Sequence, residues 1–233
     1  IASKIAALYC DLLRIPADRR PKLVFATVSS GYNGLLENPI FAAVLGTEVA
    51  ATRKQGLSTL PASLIGGAIG YGIFLVLGEV GFLGFLHLPA VESYIWWYAP
   101  LMVPLALVGL LLAMLTAVFM RMATAFFGRF TEHVVLRAVV AGVVFSAVGL
   151  FAPLVMFAGE TQVQTMIEGA AGYGIALLLV MAAGKLALMA VGFRSGFLGG
   201  PTFPLIFAST AVALALNLAF PDVPVAILVA GIM

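Results

Sequence analysis

Five apolar runs, at about 57–78, 94–120, 138–158, 171–191 and 203–220, constrain this chain more than anything else in it. Each approaches the ~20 residues that a helix needs to cross the hydrocarbon of a bilayer. With 63% hydrophobic residues, 9% charged residues and a mean hydropathy of +1.14, little else in the chain offsets them. Soluble domains carry roughly a quarter charged residues. The reading is therefore an all-α integral membrane protein that crosses the bilayer several times.

Composition also removes function classes. A net charge of +2 without a basic stripe argues against a nucleic-acid partner. The single Cys10 excludes an internal disulfide framework and offers no metal cluster, so no metal and no cofactor are expected. The chain starts at Ile1 without an initiator methionine or signal pattern, and its final apolar run, VPVAILVAGIM, is too short to span. A fragment cut at both ends is the expectation.

Positive charge gathers at Lys4, Arg14, Arg19, Arg20 and Lys22, again at Arg53 and Lys54, and again at Arg121, Arg129 and Arg137. Other connections hold mainly Glu79, His87 and Glu92, or Glu160 and Glu168. The bias of Lys and Arg toward cytoplasmic loops places the three basic clusters on one inner face. Between Lys22 and Arg53 the chain is too short for two crossings of ~20 residues each. A re-entrant hairpin over 23–50 is expected, broken at SSGYNGLLENP, with Pro39 opening the returning helix.

A second break stands at GFRSGFLGGPTFPLIF, 192–207. A long helix over about 174–193 ends at 195–200, and another begins near Thr202 with Pro201 and Pro204 in its first turn. Non-helical backbone inside a membrane is tolerated only where protein buries it or it borders a watery cavity. Paired broken helices are a mark of transporters and channels, with half-helix ends aimed at a midplane site. The N–H groups and macrodipole of a helix start attract anions without a charged side chain.

Lys185 and Arg194 add positive charge near that break. An ionisable group inside an apolar run is costly and a functional candidate. Plainer readings stand beside these. The glycines at 196, 199 and 200 also suit close helix packing, and Arg194 also suits snorkelling to an interface. Lys185 also suits a structural role, its ammonium satisfied by carbonyls at a broken helix end. GGAIGYG, 66–72, reads as a packing face, and His87 and His133 read as loop residues.

Three anchors together resemble the CLC family of chloride channels and chloride/proton exchangers. SGFLGGPTFP resembles the family's serine-glycine, double-glycine, phenylalanine-proline signature. ENPIFAAVLGTEVA resembles its asparagine-x-proline segment with a following glutamate, here Glu48. Lys185, eleven residues before Gly196, falls where the family commonly has a lysine or arginine. The similarity extends over the whole chain. It implies a CLC-like inverted-repeat helical fold with re-entrant and broken helices, voltage gating in some members, and a homodimer with one pore per subunit. On that footing, 1–93 forms the end of the first repeat, including the hairpin and a helix over 57–78, and 94–233 forms the second, truncated at its C-terminus.

The resemblance also implies a site. The anion-contacting positions fall on Gly199, Gly200, Pro201, Thr202, Phe203 and Pro204, with Lys185 and Arg194 supplying field and Glu48 an inner vestibule or a structural contact. Pro201 has no N–H, so one donor is missing, and the Thr202 hydroxyl is a candidate replacement. Val49 follows Glu48 where proton-coupled members have a second glutamate, and valine cannot relay a proton. The expectation is a channel or uncoupled transporter for chloride or a similar small anion, in the inner or plasma membrane. The alternative is a chloride/proton antiporter of the same fold. An intramembrane enzyme built on Ser195 lacks a histidine base within the membrane, so no catalytic residue is assigned. A non-transporting scaffold has no use for buried cations.

Overall fold

Long apolar runs become helices because a helix satisfies its own backbone wherever water is absent. The computed structural model describes residues 2–36, 40, 44, 53–78, 88–89, 91, 95–130, 132–197 and 199–233, and among them it has helices and no strand. Two compact units emerge, Ile1–Leu86 and His87–Met233.

The first unit holds α1 (Ala2–Leu12), α2 (Arg20–Leu36) and α3 (Arg53–Leu77). Arg20 fastens the turn between α1 and α2, donating from Nε to the Ile15 carbonyl at 3.0 Å and pairing with Asp11 at 2.7 Å. α2 packs along α3. The contact is close because small residues meet: a Cβ at Gly66 would lie 2.6 Å from the Ala26 carbonyl oxygen, and one at Gly70 would lie 2.5 Å from that of Ser30. GGAIGYG is thus a packing face inside the chain.

A break is expected within SSGYNGLLENP, and α2 runs through Ser29, Gly31 and Gly34 to its end at Leu36, with 37–39 outside the described residues. Glycine and serine allow a chain to turn, but they also let helices approach, and Ser30 serves the second purpose against Gly70. Most of 37–52, with Pro39, Glu48 and Val49, lies outside the described residues, as does His87.

The second unit holds α4 (Tyr98–Phe127), α5 (Val134–Phe151), α6 (Glu160–Glu168), α7 (Ala170–Ser195), α8 (Thr202–Ala219) and α9 (Val225–Ile232). α4 carries its helix past the expected end near 120, since AVFMRMATAFF remains helix-compatible and Arg121 projects outward. α5 stops at Phe151, short of 158, because Pro153 disfavours helical geometry at Ala152, which sits at φ −141° and ψ 65°. A short 3-10 turn, Pro153–Val155, follows.

Five helices, across both units, are long and apolar enough to cross a membrane. Within the second unit, 61% of the best span of α8 and 44% of that of α7 are buried, against 6% for α4 and α5. The α7–α8 pair is therefore the centre, and α4 and α5 present apolar flanks such as Leu107, Leu111, Val139 and Val143 that suit lipid. Ala208, Ala211 and Ala213 are fully buried on α8, where short side chains let α7 come close. Ala123 and Phe127 of α4, Ala141 of α5 and Ala190 of α7 form a second apolar cluster.

Candidate functional site

The helix break at 195–201 is built residue by residue. α7 ends where Gly196 takes the left-handed conformation at φ +99°, a geometry that costs glycine little. The N–H groups of Gly196 and Phe197 both turn back to the Gly192 carbonyl. Ser195, 3% exposed, donates its hydroxyl to the same carbonyl at 3.0 Å. Arg137 of α5 reaches across and donates from Nε to the Ser195 carbonyl at 3.1 Å. A cation at a helix C-terminus answers the negative end of the macrodipole. Phe197 packs edge-on against Phe145 of α5, their ring centres 5.7 Å apart.

α8 then restarts with two prolines. Pro201 precedes the helix at φ −77° and ψ −20°, and its carbonyl accepts the Leu205 N–H at 3.0 Å. Neither Pro201 nor Pro204 has an N–H, so in the first turn only Thr202 and Phe203 carry a backbone N–H ahead of Leu205. Among the described residues, no side chain caps this start.

Beside the restart lies a pocket of about 360 Å³. Gly199, Gly200, Phe203 and Pro204 border it from the break, Lys185, Leu188 and Met189 from α7, and Val155, Phe157 and Ala158 from the connection after α5. Backbone without side chains at Gly199 and Gly200, one helix start and one buried ammonium thus share a largely apolar chamber. In such surroundings dipoles and charges act more strongly than in water.

Lys185 is the fully hydrogen-bonded member. It is 1% exposed, and its Nζ donates to the carbonyls of Val155, Met156 and Phe157 at 3.1, 2.9 and 2.8 Å. The Phe207 ring of α8 covers it, with the centroid 4.9 Å from Nζ. A buried charge is tolerable only when paired or fully hydrogen-bonded, and carbonyl dipoles serve that end here. Convergence of three successive carbonyls requires an unusual turn. Phe157 adopts φ +55° and Gly159 φ +101°. A Cβ at Gly159 would stand 3.0 Å from Lys185 Nζ and 3.2 Å from Phe207.

The expected positions separate. Gly199, Gly200, Phe203, Pro204 and Lys185 come together at the pocket, whereas the exposed Pro201 and half-buried Thr202 do not line it. Arg194 is exposed on the last turn of α7, outside the lining. Arg137, Phe157 and Gly159 were not singled out as site residues. For Gly159 the only signal was a glycine ahead of the polar run ETQ, and for Arg137 there was none beyond its charge.

The glycines make a clean probe. A Cβ at Gly200 would meet no atom within 4 Å. Gly200→Ala is expected to leave the unfolding midpoint of the purified protein almost unchanged, within about 0.5 kcal/mol. Gly200→Leu would fill the chamber mouth, so any drop in anion passage then reports occlusion.

Comparison with known proteins adds kinship. The family model described as "Voltage gated chloride channel" matches residues 1–233. Proteins named "Putative ion-transport protein YfeO" from Escherichia coli strain SMS-3-5 and from Escherichia fergusonii are each 35% identical over 99 residues, covering 42% of this chain and 23% of theirs. The one from Escherichia coli O1:K1 is 33% identical over 91 residues, covering 39% of this chain and 22% of its own. The matched part therefore spans less than a quarter of the length of these curated relatives.

Proposed function

This chain belongs to the voltage gated chloride channel family, and on that premise we propose that it forms part of a passive path for chloride or a similar small anion. Backbone amides around Gly199, Gly200 and the start of α8 hold the ion. The supporting observation is a pocket that joins a broken-helix start to the buried Lys185 ammonium. Conduction needs sites that attract the ion enough to strip water and release it readily, and a few amides without a formal cationic ligand meet both demands. The relatives' printed name, an ion-transport protein, agrees with transport and not with catalysis. The Ser195 hydroxyl, turned back on Gly192, is engaged in capping. Full-length protein is read as a homodimer in the cell membrane, with a path in each subunit.

Valine at position 49 favours the uncoupled version over the proton-coupled antiporter. Purified full-length protein in liposomes is expected to discharge a chloride gradient without moving protons. Stoichiometric proton movement driven by chloride would select the antiporter, and no halide flux at all would remove the reading.

Pro201 supplies a test of where the ion sits. Alanine accepts the same φ of −77° and restores an N–H to the helix start. Pro201 does not line the pocket, so Pro201→Ala is expected to leave chloride binding within about twofold of wild type in calorimetric titration, whereas a tenfold tightening would place the ion at that turn instead.

A further inference from the structure

We infer that Lys185 is a positioning residue: its ammonium holds the 153–159 connection as one wall of the pocket and does not itself ligate the anion. This rests on the anion reading above and specifies how one of its residues acts.

An ammonium has three N–H donors and no more. All three are matched by carbonyls, those of Val155, Met156 and Phe157, and the Phe207 ring covers a further side of the group. No donor remains for an ion in the chamber unless a carbonyl is released. The carbonyls depend equally on the ammonium. Three successive C=O groups aimed at one point repel each other without a cation between them, and the left-handed backbone at Phe157 that aims the last of them is strained for a residue with a side chain. Gly159 has no Cβ where one would press on Lys185, so the connection closes tightly over the ammonium.

The consequence reaches the pocket directly. Val155, Phe157 and Ala158 line it together with Gly199, Gly200 and Phe203. Release of the connection widens the chamber and admits water, which weakens every amide contact to the ion. Lys185 thus sets the shape of the site from α7, while Phe207 ties the same ammonium to α8.

The test uses full-length protein in liposomes and reads two quantities, hydrogen exchange of the 153–163 amides and chloride flux. Lys185→Ala is expected to speed exchange there at least tenfold and to cut flux comparably. Propylammonium replaces the atoms removed from Cγ to Nζ and is expected to restore both. Tetramethylammonium, a cation without N–H donors, is expected to restore neither. Lys185→Arg keeps the charge but cannot bring three donors to one point, so it is expected to fold and still to show several-fold faster exchange. Should Lys185→Ala fail to fold, this variant decides the matter alone.

Unchanged exchange in both variants would overturn the inference. So would loss of flux with native exchange, which would make Lys185 a ligand or field source, and so would rescue by tetramethylammonium. Wild-type protein that passes no halide yet shows the exchange and amine pattern would remove the anion reading and leave the wall-positioning role standing.

Discussion

Gly159→Ala is expected to destabilise the protein by about 3 kcal/mol and to reduce anion flux at least tenfold. Two costs add. At φ +101° a residue with a Cβ is strained by about 1–3 kcal/mol. The new methyl would also stand 3.0 Å from Lys185 Cε and Nζ and 3.2 Å from Phe207. The ammonium can retreat only by giving up carbonyl bonds inside a buried site, and each charge-assisted bond is worth about 1.5–3 kcal/mol. Thermal unfolding in detergent measures the first effect and liposome flux the second. Gly200→Ala, in open space, is the matched control, and equal midpoints for the two variants would show that the Gly159 geometry carries no load.

Phe207→Ala is the second large effect, expected at about 3–5 kcal/mol. Phe207 is fully buried at the α7–α8 contact, so truncation removes transfer free energy and leaves a cavity. It also strips the aromatic face from the Lys185 ammonium. Phe207→Leu keeps most of the volume and loses only that face, so its cost should be roughly 1–2 kcal/mol. Denaturant or thermal titration of the three proteins separates packing from the cation–ring contact. Equal stability of the leucine variant and wild type would mean that the ring adds nothing beyond its bulk.

The membrane spans were legible because length and hydropathy alone decide them. The break at 195–201 was legible too, since glycine and proline state local backbone geometry without reference to distant residues. At 29–36 the same residue types stay helical, and small residues let α2 approach α3 at Gly66 and Gly70. Local composition cannot distinguish a turn from a close contact when the partner is about 40 residues away.

At the site, the sequence pointed to Lys185 and offered carbonyls at a broken helix end as its partners. Which carbonyls was not readable. Val155, Met156 and Phe157 lie 28 to 30 residues away, and phenylalanine at positive φ has no local signature. Arg137 meets Ser195 across 58 residues and is equally silent in the sequence. Pro201 and Thr202 share the break but not the pocket, because the direction in which the first turn of α8 faces depends on how α8 packs on α7.

The central claim is that backbone at the helix break, with no cationic side chain as direct ligand, holds the anion. Anomalous diffraction from crystals of full-length protein in bromide tests it most directly. Bromide is expected in the chamber beside Gly199, Gly200 and Phe203, with all three carbonyl bonds of Lys185 intact. An empty chamber in saturating bromide, or bromide bound to Lys185 Nζ in place of a carbonyl, would contradict it.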